Sequence, residues 1–363
     1  MRKVLLIATV LTFALAGSAW AFHDFGVADC QGCHTMHNSQ DGVLVDPDSP
    51  LGNSYLLKDA TASDVCLSCH ATRQGAVFST DVLNPAPMKG AGNFIFLLED
   101  NLNDGHGGGD TLVDGSWADP IPGDAAGHNL DAPGYGLASD LTLSTAPGGT
   151  FNAGWLGCSS CHDPHGNAGF RMLNDAGAIQ AGIFTFANAQ PTAEGISLRT
   201  GSETNGNHTA YQAGMSLWCA NCHDDYHNTS YPTVLKHPSG AAIGASISLL
   251  YNAYNGTSAP SGGLPASAYL ADVPFEDAAV TTSSTAGPCA SSKVMCLTCH
   301  RAHATSAPDA GRWDFQIVGP AEDGVESGSY AIPNPYDGYQ RSLCNKCHVK
   351  DDDDELVDFT PTP

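Results

Sequence analysis

Cys158-Ser159-Ser160-Cys161-His162-Asp163-Pro164-His165 is the stretch that decides how this chain folds. Its first five residues place two thiols three positions apart and an imidazole directly after the second. The same order recurs at Cys30-Gln31-Gly32-Cys33-His34, Cys66-Leu67-Ser68-Cys69-His70, Cys219-Ala220-Asn221-Cys222-His223, Cys296-Leu297-Thr298-Cys299-His300 and Cys344-Asn345-Lys346-Cys347-His348. Cys-x-x-Cys-His is the attachment signature of c-type haem. The two thiols add to the haem vinyl groups as thioethers, and the histidine is held under the iron as its proximal ligand. One copy could be chance or a redox cysteine pair. Six copies consume 12 of the 13 cysteines, and so predict six covalently attached haem c groups.

The eight-residue stretch also ends in a second histidine. His37, His165 and His303 each lie three residues after a proximal histidine, and His227 lies four after His223. Such a residue cannot serve its own iron, because three residues of chain cannot travel round the porphyrin to its other face. It can reach a neighbouring iron, which predicts closely packed haems. His128 and His237 precede the third and fifth motifs by moderate loops, and His23 precedes Cys30 by seven residues. All three read as further distal ligands. His106, in a glycine-rich loop, and His208, in a polar one, read as solvent-facing. Methionine can replace histidine at an iron, but histidine is in excess, so the methionines read as packing residues. Bis-His ligation throughout leaves no open coordination position for a substrate.

Arg2 and Lys3 followed by the apolar run Val4–Ala16 and by Ala19-Trp20-Ala21 read as a secretory signal peptide over residues 1–21. The apolar run is short for a membrane anchor. Cleavage after Ala21 would leave 342 of the 363 residues, a single domain over 22–363, and would take the formal charge from −24 to −26 by removing Arg2 and Lys3. Export suits haem c, which is attached outside the cytoplasm in bacteria. So large a negative charge makes nucleic acid an unlikely partner, and favours cationic partners or multivalent metal ions. The run Asp351–Glu355 reads as an acidic, solvated tail. Cys289 is left outside the motifs and reads as a small, fairly buried thiol.

With 342 residues spread over six haems, each haem has 57 residues of chain. That is too few to build a conventional core around each one. The whole chain holds 40 Gly and 22 Pro, and helical periodicity is scarce. Residues 105–109, 120–136 and 254–267 read as loops. Short helices are expected around the motifs, for instance over Met215–His223. A longer helix is expected over Ala241–Tyr254, and a short strand over Leu141–Thr145. The predicted fold class is a multihaem cytochrome c, mostly coil with few short helices and minimal strand, wrapped around a chain of haems.

Several blocks of sequence carry a family resemblance. They are Phe22-His23 through Cys30–Ser39, Thr145–Thr150, Cys158–Gly166, Gly214–His223, His227 through His237-Pro238, Cys296–Ala304 and Tyr339–His348. In these the chain resembles the hexahaem extracellular cytochromes of the OmcS type, which polymerise into conductive filaments. Residues 71–150 and 171–210 match little, and His106 and His208 have no clear equivalent. The resemblance implies bis-His ligation at every iron and sparse secondary structure. It also implies that His37 coordinates a haem of the adjacent protomer, the one attached at Cys296–His300. Seven non-proximal histidines then compete for six positions: His23, His37, His128, His165, His227, His237 and His303.

The function implied is extracellular long-range electron transfer without catalysis on a small substrate. Outer-membrane cytochromes or metal oxides would be the electron partners, and the protein would be secreted or on the cell surface with no membrane anchor. Two rivals stay open on spacing alone. One is a monomeric periplasmic electron shuttle. The other is a multihaem oxyanion reductase, which would need an iron with a vacant or non-histidine sixth position.

Overall fold

Each attachment motif lies on or directly after a short helical turn, which brings its two thiols to one side of the backbone. The computed structural model describes residues 30–71, 77–79, 90–98, 123–196, 203–227, 239–256, 261–315 and 341–348. Eight helices lie among them: α1 (Cys30–Cys33), α2 (Ala62–His70), α3 (Cys158–Cys161), α4 (Met215–Cys219), α5 (Asp224–His227), α6 (Gly244–Ala253), α7 (Cys296–Cys299) and α8 (Arg341–Cys344). Six of the eight carry or enter an attachment motif. Only α2, at 9 residues, and α6, at 10, exceed two turns. Among the described residues, no helix is long and apolar enough to cross a membrane.

Strand content is small. β1 (Ser39–Gln40) pairs with β2 (Val43–Leu44), β3 (Gly177–Ile179) with β4 (Phe184–Phe186), and β5 (Thr192–Glu194) with β6 (Ala210–Ala213). Each pair is antiparallel and stands alone as a two-stranded ribbon. Isolated ribbons of this kind have little stability of their own, so packing elsewhere holds them. The expected strand over Leu141–Thr145 does not form. Asp140 instead accepts the amides of Thr142 and Leu143, at 2.7 and 2.8 Å, and bends the backbone into an Asx turn. Thr145 alone makes a bridge, to Asn152.

The buried apolar residues fall into four small clusters, and each one packs against attachment cysteines. Leu67, Phe94, Phe96 and Leu130 gather beside Cys158. Tyr251, Tyr269, Trp313 and Leu343 gather beside Cys299, Cys344 and Cys347. Met215 and Met295 lie beside Cys219, and Phe151 and Phe186 beside Cys222. The described chain is mostly coil, with its core divided among the Cys-x-x-Cys-His turns. The signal-peptide reading of residues 1–21, the acidic run at 351–355, and His23, His106 and His237 lie outside the described residues.

Candidate haem-binding chain

The six motifs line up in sequence order. The Cys33 thiol lies in the field of Cys69. Cys66 and Cys158 are hydrogen-bonded to one another. Cys161 lies in the field of Cys222. Cys219 and Cys296 are hydrogen-bonded, and Cys299 lies in the field of Cys347 and Cys344. Each motif therefore adjoins the next along the chain.

Two of these junctions are built alike. Ser63, three residues before Cys66, accepts the Cys158 amide at 3.2 Å. Ser216, three before Cys219, accepts the Cys296 amide at 3.1 Å. Each serine thus satisfies an open amide at the start of the neighbouring helical turn, α3 or α7. Inside those turns, Ser160 and Thr298 accept the amides of Gly157 and Met295, at 3.0 and 3.1 Å. Motifs two and three form one unit, and motifs four and five repeat it. Thr61 accepts the Asp64 amide at 3.1 Å, which starts α2. Asp64 in turn holds the Gly134 amide at 2.9 Å and fixes α2 to the rest of the fold.

The proximal rings of the odd-numbered motifs are held by a device that repeats three times. His34 donates from Nδ1 to the Tyr55 carbonyl at 3.0 Å, His162 to that of Arg171 at 2.9 Å, and His300 to that of Asp309 at 2.8 Å. Each acceptor begins a pair of residues with left-handed backbone. The φ values are 57° and 58° at Tyr55 and Leu56, 52° and 54° at Arg171 and Met172, and 58° and 54° at Asp309 and Ala310. Residues other than glycine pay to sit there. Backbone bonds clamp each turn to its motif: Thr35 to Leu56, Asp163 to Met172 and Arg301 to Ala310 on one side, and Lys58 to Cys33, Asn174 to Cys161 and Arg312 to Cys299 on the other. No simple sequence pattern marks this strap, since Tyr-Leu, Arg-Met and Asp-Ala share no side-chain chemistry. His223 uses a different turn and donates to the Pro147 carbonyl at 2.7 Å.

An imidazole that commits Nδ1 to a carbonyl presents Nε2 as the metal-binding nitrogen, in a fixed tautomer and orientation. The rings also pair. His34 and His165 stand 6.4 Å apart between centroids, His162 and His303 6.4 Å, and His128 and His223 6.0 Å. An iron about 2 Å from each of two trans imidazole nitrogens would hold the ring centres about 6 Å apart. The residues therefore fit bis-His haem ligation. His128 is itself oriented by the Ala302 carbonyl at 2.9 Å. His37 is exposed, and His227 rests its ring against Gly240, where a Cβ would lie 2.9 Å from the ring. Among the described residues, no group of three or more His, Cys, Asp or Glu side chains forms a site for a bare metal ion.

Burial keeps the buried rings neutral, which is the ligating form. Desolvation lowers His128 to about 4 and His303 to about 3, and in each case neighbouring imidazoles add to the effect. His223 and His300 are lowered for the same first reason. Before attachment, burial pushes the thiols of Cys161, Cys222, Cys299 and Cys347 up to about 12. Cys296 is instead lowered to about 7, chiefly by the hydrogen bond from Cys219.

Two sequence expectations need correction. His208 is not solvent-facing. It is 1% exposed, stacks on Tyr269 at 3.7 Å, and directs Nδ1 to the Thr209 carbonyl and Nε2 to the Ser284 carbonyl, at 3.0 and 2.9 Å. Thr282, Ser284 and Tyr269 cover it from across the fold, while its polar neighbours Asn205 and Asn207 stay exposed. Cys289 is exposed rather than buried, because Ser291, Ser292 and Asp277 hydrogen-bond its sulfur at the surface.

Thiol pairs on or beside single helical turns, each followed by an imidazole, four of which are oriented through Nδ1, define a c-type cytochrome. No protein-family model matches the chain. The C-type cytochrome OmcS of Geobacter sulfurreducens is 34% identical to it over 439 aligned positions, covering 97% of this chain and 99% of the relative. A cryo-EM structure of the OmcS nanowires from that organism superposes with a TM-score of 0.70 at 31% identity. A structure of its outer membrane cytochrome S filament gives 0.73 at 32%. Each covers 91% of this chain and all of the solved chain. The chain belongs to the family of OmcS-type c-type cytochromes, whose haem is covalently bound.

Proposed function

We propose that this chain is one protomer of an extracellular cytochrome filament that carries electrons over long distances. Six haems are held by Cys30 and Cys33, Cys66 and Cys69, Cys158 and Cys161, Cys219 and Cys222, Cys296 and Cys299, and Cys344 and Cys347. His34, His70, His162, His223, His300 and His348 are the proximal ligands. Haem c, when bound, supplies the one-electron iron couple and the ring edges between which electrons pass. The chain fixes the spacing of the sites, saturates each iron with nitrogen and keeps water away from the buried rings. Export by a signal peptide, a location outside the cell and exchange of electrons with other cytochromes or metal oxides complete the reading. The filaments of the OmcS relatives support it.

One observation carries the assembly. The second histidine of each odd-numbered motif lies over the proximal histidine of the preceding odd-numbered motif: His165 over His34, and His303 over His162. Continued by one step, the series places His37 of the next copy over His300. His37 is exposed, and among the described residues His300 meets no second imidazole at that spacing. His128 completes His223. The irons at His70 and His348 then draw on His23, His227 and His237, with one to spare. A contact between unlike surfaces that does not close on itself propagates as an open helix.

Substituting His37→Ala tests this. The variant should retain six attached haems by intact mass. One haem per protomer should turn high-spin, and filaments should fail to grow. Normal filaments with every haem low-spin would overturn the assignment.

A further inference from the structure

Six motifs leave twelve positions between paired cysteines, and Lys346 is the one charged residue among them. It does not turn out to water: the residue is 1% exposed. Nζ donates to the carbonyls of Tyr251 and Tyr254 at 2.9 and 3.2 Å and lies 4.3 Å from the centre of the Tyr251 ring. Those carbonyls stand in the last turn of α6 and just beyond it, at the negative end of the helix dipole. The Tyr251 ring is fixed in turn. Its hydroxyl donates to the Val273 carbonyl at 2.8 Å and accepts the Leu270 amide at 3.1 Å. Tyr251 and Leu343 belong to the buried cluster against which Cys344 and Cys347 pack. The ammonium thus enters the same interior that receives the sixth attachment pair, and the Cys347 sulfur lies in its field.

A haem on Cys344 and Cys347 does not undo this arrangement. It adds atoms to the interior, so the burial of Lys346 only deepens. The acceptors of the ammonium are backbone groups of α6 and its boundary, not groups of the attachment motif. Charge in such a place is costly even when it is hydrogen-bonded. Methionine, of similar length, fills buried space without that cost. Packing alone is therefore a weak reason for a cation here.

We infer that Lys346 raises the reduction potential of the haem attached at Cys344 and Cys347. The inference rests on the reading of six attached haems and is independent of assembly. The step concerned is the passage of one electron from a neighbouring haem. The donor iron goes from Fe(II) to Fe(III), the acceptor iron from Fe(III) to Fe(II), and no proton moves. The accepting site gains one negative charge. A cation held nearby in low-dielectric surroundings stabilises that form more than a cation in water does. The residues between the cysteines of the other five motifs are all neutral, so this device belongs to the last haem in the sequence order. That haem holds an electron more tightly than it would without the lysine.

Spectroelectrochemical titration of the fully loaded protein at constant neutral pH tests this with three variants. Lys346→Met removes the charge and the donors. Lys346→Gln removes the charge and keeps a donor for the α6 carbonyls. Lys346→Arg keeps the charge. Each should carry six haems by intact mass and stay low-spin. In the Met and Gln variants, one of the six midpoints should move to lower potential by more than the other five. In the Arg variant, it should stay near its wild-type position. A thermal melt is read beside each titration, and the two neutral variants should share the midpoint shift even where their stabilities differ. If the Met variant fails to load haem, the Gln and Arg variants decide the matter. With six haems in place, unmoved midpoints in the neutral variants overturn the inference, as does an equal fall of all six. A Gln variant that titrates like the wild type while Met shifts also overturns it, because the donor and not the charge would then matter. An unmodified Cys344 and Cys347 pair in the wild-type protein, found by peptide mass mapping, sinks the six-haem reading itself.

Discussion

His34 and His165 face one another with ring planes 12° apart and centroids 6.4 Å apart, although 131 positions separate them in the chain. The His165 backbone amide is bonded to Asp163 at 2.9 Å, which turns the ring outward from its own motif. This ring pair joins the first motif to the third. His165→Ala should make one haem in six high-spin, and that haem should be the one attached at Cys30 and Cys33. The haem at Cys158 and Cys161 should be unaffected, because its partner ring is His303. Resonance Raman or EPR on a variant that also lacks one attachment pair would assign the signal. A high-spin haem at the third motif instead would break the proposed series.

The left-handed strap behind His300 invites a backbone test. Asp309 sits at φ 58° and gives its carbonyl to His300 Nδ1 at 2.8 Å. Asp309→Gly accepts that conformation freely, so it should leave the haem spectrum intact and cost little or even add stability. Asp309→Pro forces φ to about −65° and must displace the carbonyl. Its expected cost is about 3 kcal/mol or more, with a changed ligand-field signature at one haem. Asp309→Asn separates the loss of charge from the loss of geometry. Matching spectra in the Pro and Gly variants would show that the strap does not orient the ring.

The Asn38 side chain donates to the carbonyls of Asp46 and Ser49 at 2.8 and 2.7 Å and accepts the Asp46 amide at 2.8 Å, and this clasp should respond to acid in a defined window. Asp46 is held below its ordinary value of 3.8, first by the Asn53 side chain, which outweighs the opposing effect of burial, and further by Asp48 and Ser49. A carboxylate with a depressed folded value stabilises the fold above the unfolded value, and loses that contribution as pH falls through the folded one. The 38–53 segment should therefore keep its protection from pH 7 down to about 4 and open only below that. Hydrogen exchange read by mass spectrometry on this peptide gives the profile. Asn38→Ala strands two carbonyls and should cost about 1–3 kcal/mol locally. Opening of the segment near pH 6 would contradict the assignment to Asp46.

What the sequence disclosed and what it withheld follow from how each feature is encoded. Attachment turns and the helix at 244–253 were legible because they depend on local order: fixed thiol spacing in one case, an apolar run without breakers in the other. The outward second histidines were legible by a reach argument. Which rings pair was not, because His34–His165 and His162–His303 are contacts across long, glycine-rich chain. The strap was also hidden. It is written in φ angles at Tyr55, Arg171 and Asp309, and of these types only Asp has any leaning toward a left-handed backbone. Leu141–Thr145 looked like a strand by composition, and one aspartate overrode that preference.

His208 shows the same limit and gives the last test. Its sequence neighbours Asn205, Asn207 and Thr209 are polar, yet Thr282 and Ser284 cover it from across the fold, with Ser284 accepting from its Nε2 at 2.9 Å. Both ring nitrogens face carbonyl oxygens, so neither is turned toward an iron. Removing the ring would strand the carbonyl that its N–H serves and empty the space against Tyr269. His208→Leu should therefore destabilise the protein by about 2–4 kcal/mol, while every haem stays low-spin. His208→Gln offers an amide that can donate to both carbonyls, and it should recover part of the loss. Thermal unfolding followed at the haem absorption band measures the first effect, and the resting spectrum measures the second. Appearance of a high-spin haem in His208→Leu, with the fold otherwise intact, would make His208 a ligand after all.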